Sequence, residues 1–322
     1  MSMKFPLFSI DIPPQTQPDK ESKKEDKLPK VRGTYQFDYE LGKHSFFKTG
    51  GKADVLFTPA NVDDLVFFLK NKQKDLPVAV IGNMSNVLIS DEGIRGVVIS
   101  LKNLQRIDFE GNTVRVDAGV DLGVFIQTCA DRGVSCCEML SVIPGTIGGA
   151  LSMNAGTDLF EIKDVVVSID VVDMVTGLTS QTSSRTMQYR NGNIPKNKII
   201  TSCLLKTKPS NKEQLINVIS AIREKRKKNQ PIGYPTCGCV FKNPGGTASN
   251  QKKAWQLIQE SGCKQMSVGG ASISHIHSNF IVNNGNATSA DILTLINDIK
   301  MRVFDRTGIM LEEEIKVIGE AL

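Results

Sequence analysis

Val78-Ala79-Val80-Ile81-Gly82-Asn83-Met84-Ser85-Asn86-Val87-Leu88-Ile89 is an apolar, β-branched run interrupted by a short, mostly polar stretch opened by glycine, and resumed at once. The pattern predicts a strand, a tight turn and a second strand, with no helix between them. Successive backbone N–H groups in such a turn can form an anion-binding nest, which suits a pyrophosphate. An ordinary hairpin fits the same residues. The glycine-rich dinucleotide fingerprint is absent, because Met84 stands where a second glycine is required and no helix opens there. A phosphate loop of the Walker type is also excluded: before Gly51-Lys52 the first glycine's place is taken by Phe46, and Ala53 replaces the obligatory Ser or Thr.

Working outward, short Val- and Ile-rich runs at 97–101, 114–118, 165–172 and 199–205 predict further strands separated by glycine turns. Apolar residues at helical spacing predict helices over 61–73 (Val62, Leu65, Phe68, Leu69) and 121–132 (Leu122, Phe125, Ile126, Cys129). The class is α+β. A longer amphipathic helix over 212–228 ends in a basic run, and Pro231 and Pro235 then force an extended passage. Beyond it the pattern predicts a helix at 250–260, strands within 270–283, a helix at 288–304 opened by Thr288 and a last strand at 314–318. The expected organisation is a polar, flexible arm over 1–33, one domain over 34–214 and a second over 215–322.

Composition narrows the function. With 322 residues, 40% of them hydrophobic and 23% charged, the chain is an ordinary soluble globular protein of more than one core. A formal charge of +5 is too small for the basic field of a nucleic-acid binder, so small anionic ligands are expected and nucleic acid is not. No 18-residue apolar run and no well-formed signal peptide occurs, so no membrane association is expected. Seven cysteines without a C-x-x-C pair indicate neither a disulfide framework nor a zinc site, and point to a reducing cytoplasm. His44, His275 and His277 lack metal-binding spacing and read as structural. No metal and no obligate protein partner is inferred.

A second glycine cluster, Ile143-Pro144-Gly145-Thr146-Ile147-Gly148-Gly149-Ala150, lets backbone approach a flat or phosphorylated ligand without Cβ interference; a close-packed turn with no ligand fits it too. Taken with the first cluster, with Tyr189-Arg190, with Gly238-Cys239-Val240-Phe241-Lys242-Asn243-Pro244 and with Leu311-Glu312-Glu313-Glu314-Ile315, it makes the chain resemble the UDP-N-acetylenolpyruvoylglucosamine reductase family. The resemblance runs from about residue 36 to the end, in the manner of the shorter, type II members.

That resemblance implies a two-lobed FAD-binding domain of the vanillyl-alcohol-oxidase (PCMH/VAO) type followed by an α+β substrate domain. FAD would be the cofactor, NADPH the hydride donor and a UDP-sugar the substrate. The implied cofactor contacts are Gly82, Asn83, Met84, Ser85, Asn86, Val87, Leu88, Pro144, Gly145, Thr146, Gly148 and Gly149. The implied catalytic residues are Arg190, Cys239 and Glu314, and Tyr189, Lys227 and Asn243 are candidates for the substrate. Reducing an enolpyruvyl ether pushes negative charge onto Cα and its carboxylate, so a cation, a carboxyl group and a proton donor must converge. Arg190 supplies a planar fork for the carboxylate, Glu314 a carboxyl group, and Cys239 a thiol where many relatives carry serine. Three further departures are Gly192 in place of a frequent Ser, Asn83 in place of a frequent glycine, and Thr157-Asp158-Leu159-Phe160 in place of an aromatic-glycine turn. The competing readings are an FAD oxidase of a sugar or alcohol, and a flavin- or UDP-sugar-binding protein without catalysis.

Overall fold

The computed structural model describes residues 28–245, 249 and 251–319. Two sheets form the N-terminal unit. The first has four strands in the order Thr34–Tyr39, Ala53–Thr58, Ile94–Ser100 and Val78–Ile81, antiparallel at its first pair and parallel thereafter. The second has five antiparallel strands in the order Thr179–Thr182, Val166–Asp173, Lys198–Lys206, Thr113–Asp117 and Ile107–Glu110. Their inner faces share one core with the helices Val62–Asn71 and Leu122–Asp131. Phe57 from the first sheet and Phe68 from the first helix lie 4.6 Å apart there with no solvent exposure. Burying each ring contributes about 2–3 kcal/mol, which is why these few aromatics are interior. Asn61 and Asp121 cap the two helices with side-chain oxygens.

The turn at 82–86 is no hairpin. Val78–Ile81 pairs with Ile94–Ser100, whereas Val87–Ile89 leaves that sheet and pairs in parallel with the last strand, Lys316–Ile318. The turn therefore hands the chain from the N-terminal unit to the C-terminal one.

The C-terminal unit packs the helices Ala254–Glu260 and Ser289–Thr307 on a three-stranded sheet of Ser267–Val268, Ala271–Ile273 and Ile281–Asn283. Ile292, Leu295, Ile296, Ile299 and Val303 form the buried stripe of the long helix. A capping box between Thr288 and Asp291 starts it, and Gly308 at φ +70° ends it.

Most of the expected arm lies outside the described residues, but 28–33 is held. Leu28 and Val31 pack on the first core, and the Arg32 and Gly33 amides both donate to the Asp64 carboxylate at 2.8 Å. The helix Lys212–Asn229 buries Leu215 and Ile219 in the first core, so by packing it goes with the N-terminal unit. In the two large sheets, four strands carried no sequence expectation: Thr34–Tyr39, Ala53–Thr58, Ile107–Glu110 and Thr179–Thr182. Among the described residues, no helix is long and apolar enough to cross a membrane.

Candidate active site

Between the two units lies a cavity of about 1100 Å³. One wall is made of the two glycine-bearing loops, which meet each other directly. Ser85 Oγ donates to the Pro144 carbonyl at 2.9 Å, and Asn83 Nδ2 donates to Asp121 Oδ2 at 3.2 Å. A methyl group on Gly82 would lie 2.7 Å from Thr146 Oγ1, so the approach needs glycine. The second cluster is not merely a turn: Thr146 caps a helix, Ile147–Met153, by accepting from the Gly149 amide at 3.2 Å. Gly148 lets that helix close on Ala118, whose Cβ would be only 3.0 Å from an added methyl.

Of the expected cofactor contacts, 82–87, Pro144, Gly145, Thr146, Gly148 and Gly149 all line this cavity. Leu88 does not, and the expectation for it is corrected: it is fully buried in the C-terminal core, because it follows Val87 in a strand whose side chains alternate faces.

The three expected catalytic residues reach the same cavity from three elements. Tyr189 and Arg190 are the tip of a two-residue turn closed by Gln188 and Asn191. Arg190 sits there at φ +52°, a left-handed conformation that costs a non-glycine residue about 1–2 kcal/mol. Its guanidinium lies 4.9 Å over the Tyr189 ring, and its Nε is 3.0 Å from Glu314 Oε1. Its Nη1 is buried and finds no hydrogen-bond partner among the described residues. Gly192 explains its own departure: a side chain there would drive its Cβ to 2.1 Å from the Leu151 carbonyl oxygen.

Glu314 and Cys239 are joined by backbone. The Glu314 amide donates to the Val240 carbonyl at 2.7 Å, the Lys242 amide donates to the Glu312 carbonyl at 2.9 Å, and Phe241 bridges Glu313. Within the acidic triplet, Glu312 pairs with Lys242 and Glu313 with Lys300, which leaves Glu314 facing Arg190. Burial raises the Glu314 carboxyl above its ordinary range, against the pull of Arg190 and Lys242. Burial, reinforced by the Glu314 charge, pushes the Cys239 thiol up to about 12. Cys237 serves structure: it is buried and its thiol donates to the Val87 carbonyl at 3.2 Å.

Asn243 lines the cavity while its Oδ1 accepts from the Ala254 amide at 3.1 Å. Lys227 requires correction. It is exposed, pairs with Glu224 at 3.2 Å and is not part of the cavity wall, whereas Arg226 is. Arg226 Nε is buried without a hydrogen-bond partner among the described residues, and burial lowers the guanidinium's affinity for its proton. The signal was present in the sequence: Leu215, Ile219, Ile222 and Arg226 follow at 4, 3 and 4 residues, one helix face. His277, read from sequence as structural, also lines the cavity, and burial favours its neutral form.

Comparison with known proteins agrees with this geometry. Residues 53–183 match the family described as FAD binding domain, which makes the chain a flavoprotein built on a two-unit α+β fold. Residues 230–318 match the family described as UDP-N-acetylenolpyruvoylglucosamine reductase, C-terminal domain. Proteins named UDP-N-acetylenolpyruvoylglucosamine reductase from Rickettsia akari (strain Hartford) and Wolbachia pipientis wMel are 38% and 39% identical, each over 91% of this chain and 98% of the relative. The crystal structure of UDP-N-acetylenolpyruvylglucosamine reductase (MurB) from Thermus caldophilus superposes with a TM-score of 0.74 at 33% identity, over 89% of this chain and 99% of that one. The chain belongs to the UDP-N-acetylenolpyruvoylglucosamine reductase family.

Proposed function

We infer that this chain is a flavin-dependent UDP-N-acetylmuramate dehydrogenase, which uses NADPH to reduce the enolpyruvyl group of UDP-N-acetyl-3-O-(1-carboxyvinyl)glucosamine in peptidoglycan precursor synthesis. The residues present fit FAD. A Cβ on Gly82 would lie 2.7 Å from Thr146 Oγ1 and one on Gly145, at φ +130°, 2.9 Å from Ser85 Oγ, so glycine lets the two loops close on each other and form one wall whose backbone amides suit a phosphorylated group. The turn 82–86 and the segment 144–149 would hold it. FAD held there would supply the hydride-transfer chemistry between NADPH and the enolpyruvyl β-carbon.

The protein's own groups handle the charge that results. The observation that carries the reading is the free, buried Nη1 of Arg190 beside Glu314 and Cys239 in one cavity. A substrate carboxylate satisfies that donor and is held through a planar fork. Negative charge then builds on Cα where a guanidinium already waits, so little reorganisation is needed. The Cys239 thiol gives its proton to Cα. Glu314, its carboxyl raised by burial, orients Arg190 and in its protonated form donates a hydrogen bond to the developing enolate. Arg226 offers an unpaired cation to the anionic nucleotide, with Tyr189 and Asn243 on the same wall.

We place the FAD unit over 34–229 and the substrate unit from 230 onward, supported by the packing of the 212–229 helix and by the family match that starts at 230. Seven free cysteines support a reducing, cytoplasmic setting. The test is to purify the protein, record a flavin spectrum and follow NADPH oxidation with and without the enolpyruvyl sugar nucleotide. Oxidation that depends on the nucleotide supports the reading. Oxidation indifferent to it, or a colourless protein that FAD cannot reconstitute, refutes it.

A further inference from the structure

Asn279 is only 3% exposed, yet it reaches the cavity wall and grips the segment that carries Cys239 at three points. Its backbone carbonyl accepts from the Val240 amide at 2.9 Å, its Oδ1 accepts from the Phe241 amide at 3.0 Å, and its Nδ2 donates to the Phe241 carbonyl at 2.8 Å. The opposite edge of the same segment is held by the backbone of 312–314. Cys239 therefore stands at the end of a segment clamped on both edges, just after Gly238 at φ +80° turns the chain into the cavity. A carboxamide nitrogen has two hydrogens. One is used on Phe241, and the Asn279 side chain also draws the Cys239 thiol down against the push of burial.

We propose that Asn279 is a positioning residue for the proton transfer, aiming the Cys239 thiol at the substrate and holding the sulfur as it becomes a thiolate. The proposal rests on the reading of Cys239 as the acid. In the step, the S–H bond breaks and a C–H bond forms at Cα. The sulfur keeps the electron pair, and the thiolate regains its proton from solvent before the next turnover. A buried thiolate next to a carboxylate is otherwise disfavoured. Of the groups that favour the thiolate, Asn279 is the uncharged one, beside the cations Arg190 and Arg226.

The experiment is a double-mutant cycle on the FAD-loaded enzyme with the two half-reactions followed separately. Asn279→Ala should slow enolpyruvyl reduction about tenfold to a hundredfold, the worth of a hydrogen bond to a charged group, and leave flavin reduction by NADPH within about twofold. In a Cys239→Ala background the same change should add nothing, because the partner it acts through is gone. If Asn279→Ala does not fold, Asn279→Asp is used. It keeps an oxygen for the Phe241 amide and removes the N–H donor, and the same selective, non-additive loss is expected. Equal loss of both half-reactions, or full additivity with Cys239→Ala, overturns the proposal while the enzyme's activity stands. Wild-type enzyme that never reduces the enolpyruvyl nucleotide overturns the functional reading and this proposal together.

Discussion

Replacing Cys239 tests the chemistry most directly. Its thiol is pushed up to about 12, first by burial and then by the Glu314 charge, whereas a free thiol titrates near 8.5. The sign matters. A group whose pKa is raised keeps its proton until the pH passes the raised value, so at pH 8 the thiol form outweighs the thiolate by about 10⁴ to one. The acid is thus fully loaded throughout the neutral range. Cys239→Ala removes it, and the loss of a general acid is worth about 10²–10⁴ in rate, or roughly 3–5 kcal/mol of transition-state stabilisation. Stopped-flow measurement should find that loss in enolpyruvyl reduction alone, with flavin reduction by NADPH nearly unchanged. Cys239→Ser keeps a donor of similar shape and should retain measurable turnover. In the wild-type enzyme the rate of enolpyruvyl reduction should show no alkaline fall assignable to Cys239 up to about pH 10. A fall centred near 8.5 that vanishes in Cys239→Ser, or an equal loss of both half-reactions in Cys239→Ala, would refute the assignment.

Other outcomes follow from the same geometry. Gly82→Ala drives a methyl to 2.7 Å from Thr146 Oγ1, the cap of the 147–153 helix, and should cost about 1 kcal/mol of stability along with FAD retention, read from the ratio of flavin to protein absorbance. Arg226→Met should raise KM for the nucleotide at least tenfold, an ordinary consequence of losing a charge-assisted contact, with little loss in thermal midpoint because the unpaired guanidinium is itself poorly solvated. Lys227→Met, on the exposed face, should leave KM unchanged. Glu314 has a raised carboxyl pKa in the fold. Folded protein therefore binds more protons than unfolded between the ordinary value of 4.5 and the raised one, and stability falls as pH rises through that window. The thermal midpoint of wild type minus that of Glu314→Gln should decline from pH 4 to pH 8; a flat difference would contradict the burial of this carboxyl.

Much of the fold was legible where burial wrote itself into composition. Val78–Ile81, Val166–Asp173 and Lys198–Lys206 carry runs of Val, Ile and Leu, and the sequence expectation met them within a residue or two. Thr179–Thr182 had no such signature: it is an edge strand with no apolar residue, recognisable only once the Val166–Asp173 strand is there to pair with. The helix Ile147–Met153 was hidden by Gly148 and Gly149, which read as turn residues until Ala118 is seen packed against the helix backbone. In the site, Arg190, Cys239 and Glu314 were legible as motif positions. Lys227 was not distinguishable from Arg226 by charge, since a basic run has no phase. The apolar residues preceding it do, and one residue of helix turns a side chain by about 100°.

What the linear sequence conceals most is how residues 228 apart become neighbours. Asn86, from the cofactor-side turn, donates through Nδ2 to the Glu314 carbonyl at 3.0 Å, and the Lys316 amide returns a bond to the Asn86 carbonyl. The strand that follows is only three residues long, Lys316–Ile318, and pairs in parallel with Val87–Ile89. Three pairs alone specify register weakly, and a slip of one residue would reverse every side chain along the strand. The register is fixed from both ends instead: Ile315 is buried in the C-terminal core before the strand, and the Ser90 amide donates to the Ile318 carbonyl after it. Such a slip would turn the Glu314 carboxyl away from Arg190 while leaving most of the apolar core intact. The short parallel strand is therefore the element on which the cofactor wall and the reacting carboxyl depend in common, and Lys316→Pro, which removes the amide that donates to the Asn86 carbonyl, should uncouple flavin reduction from substrate reduction before it unfolds the protein.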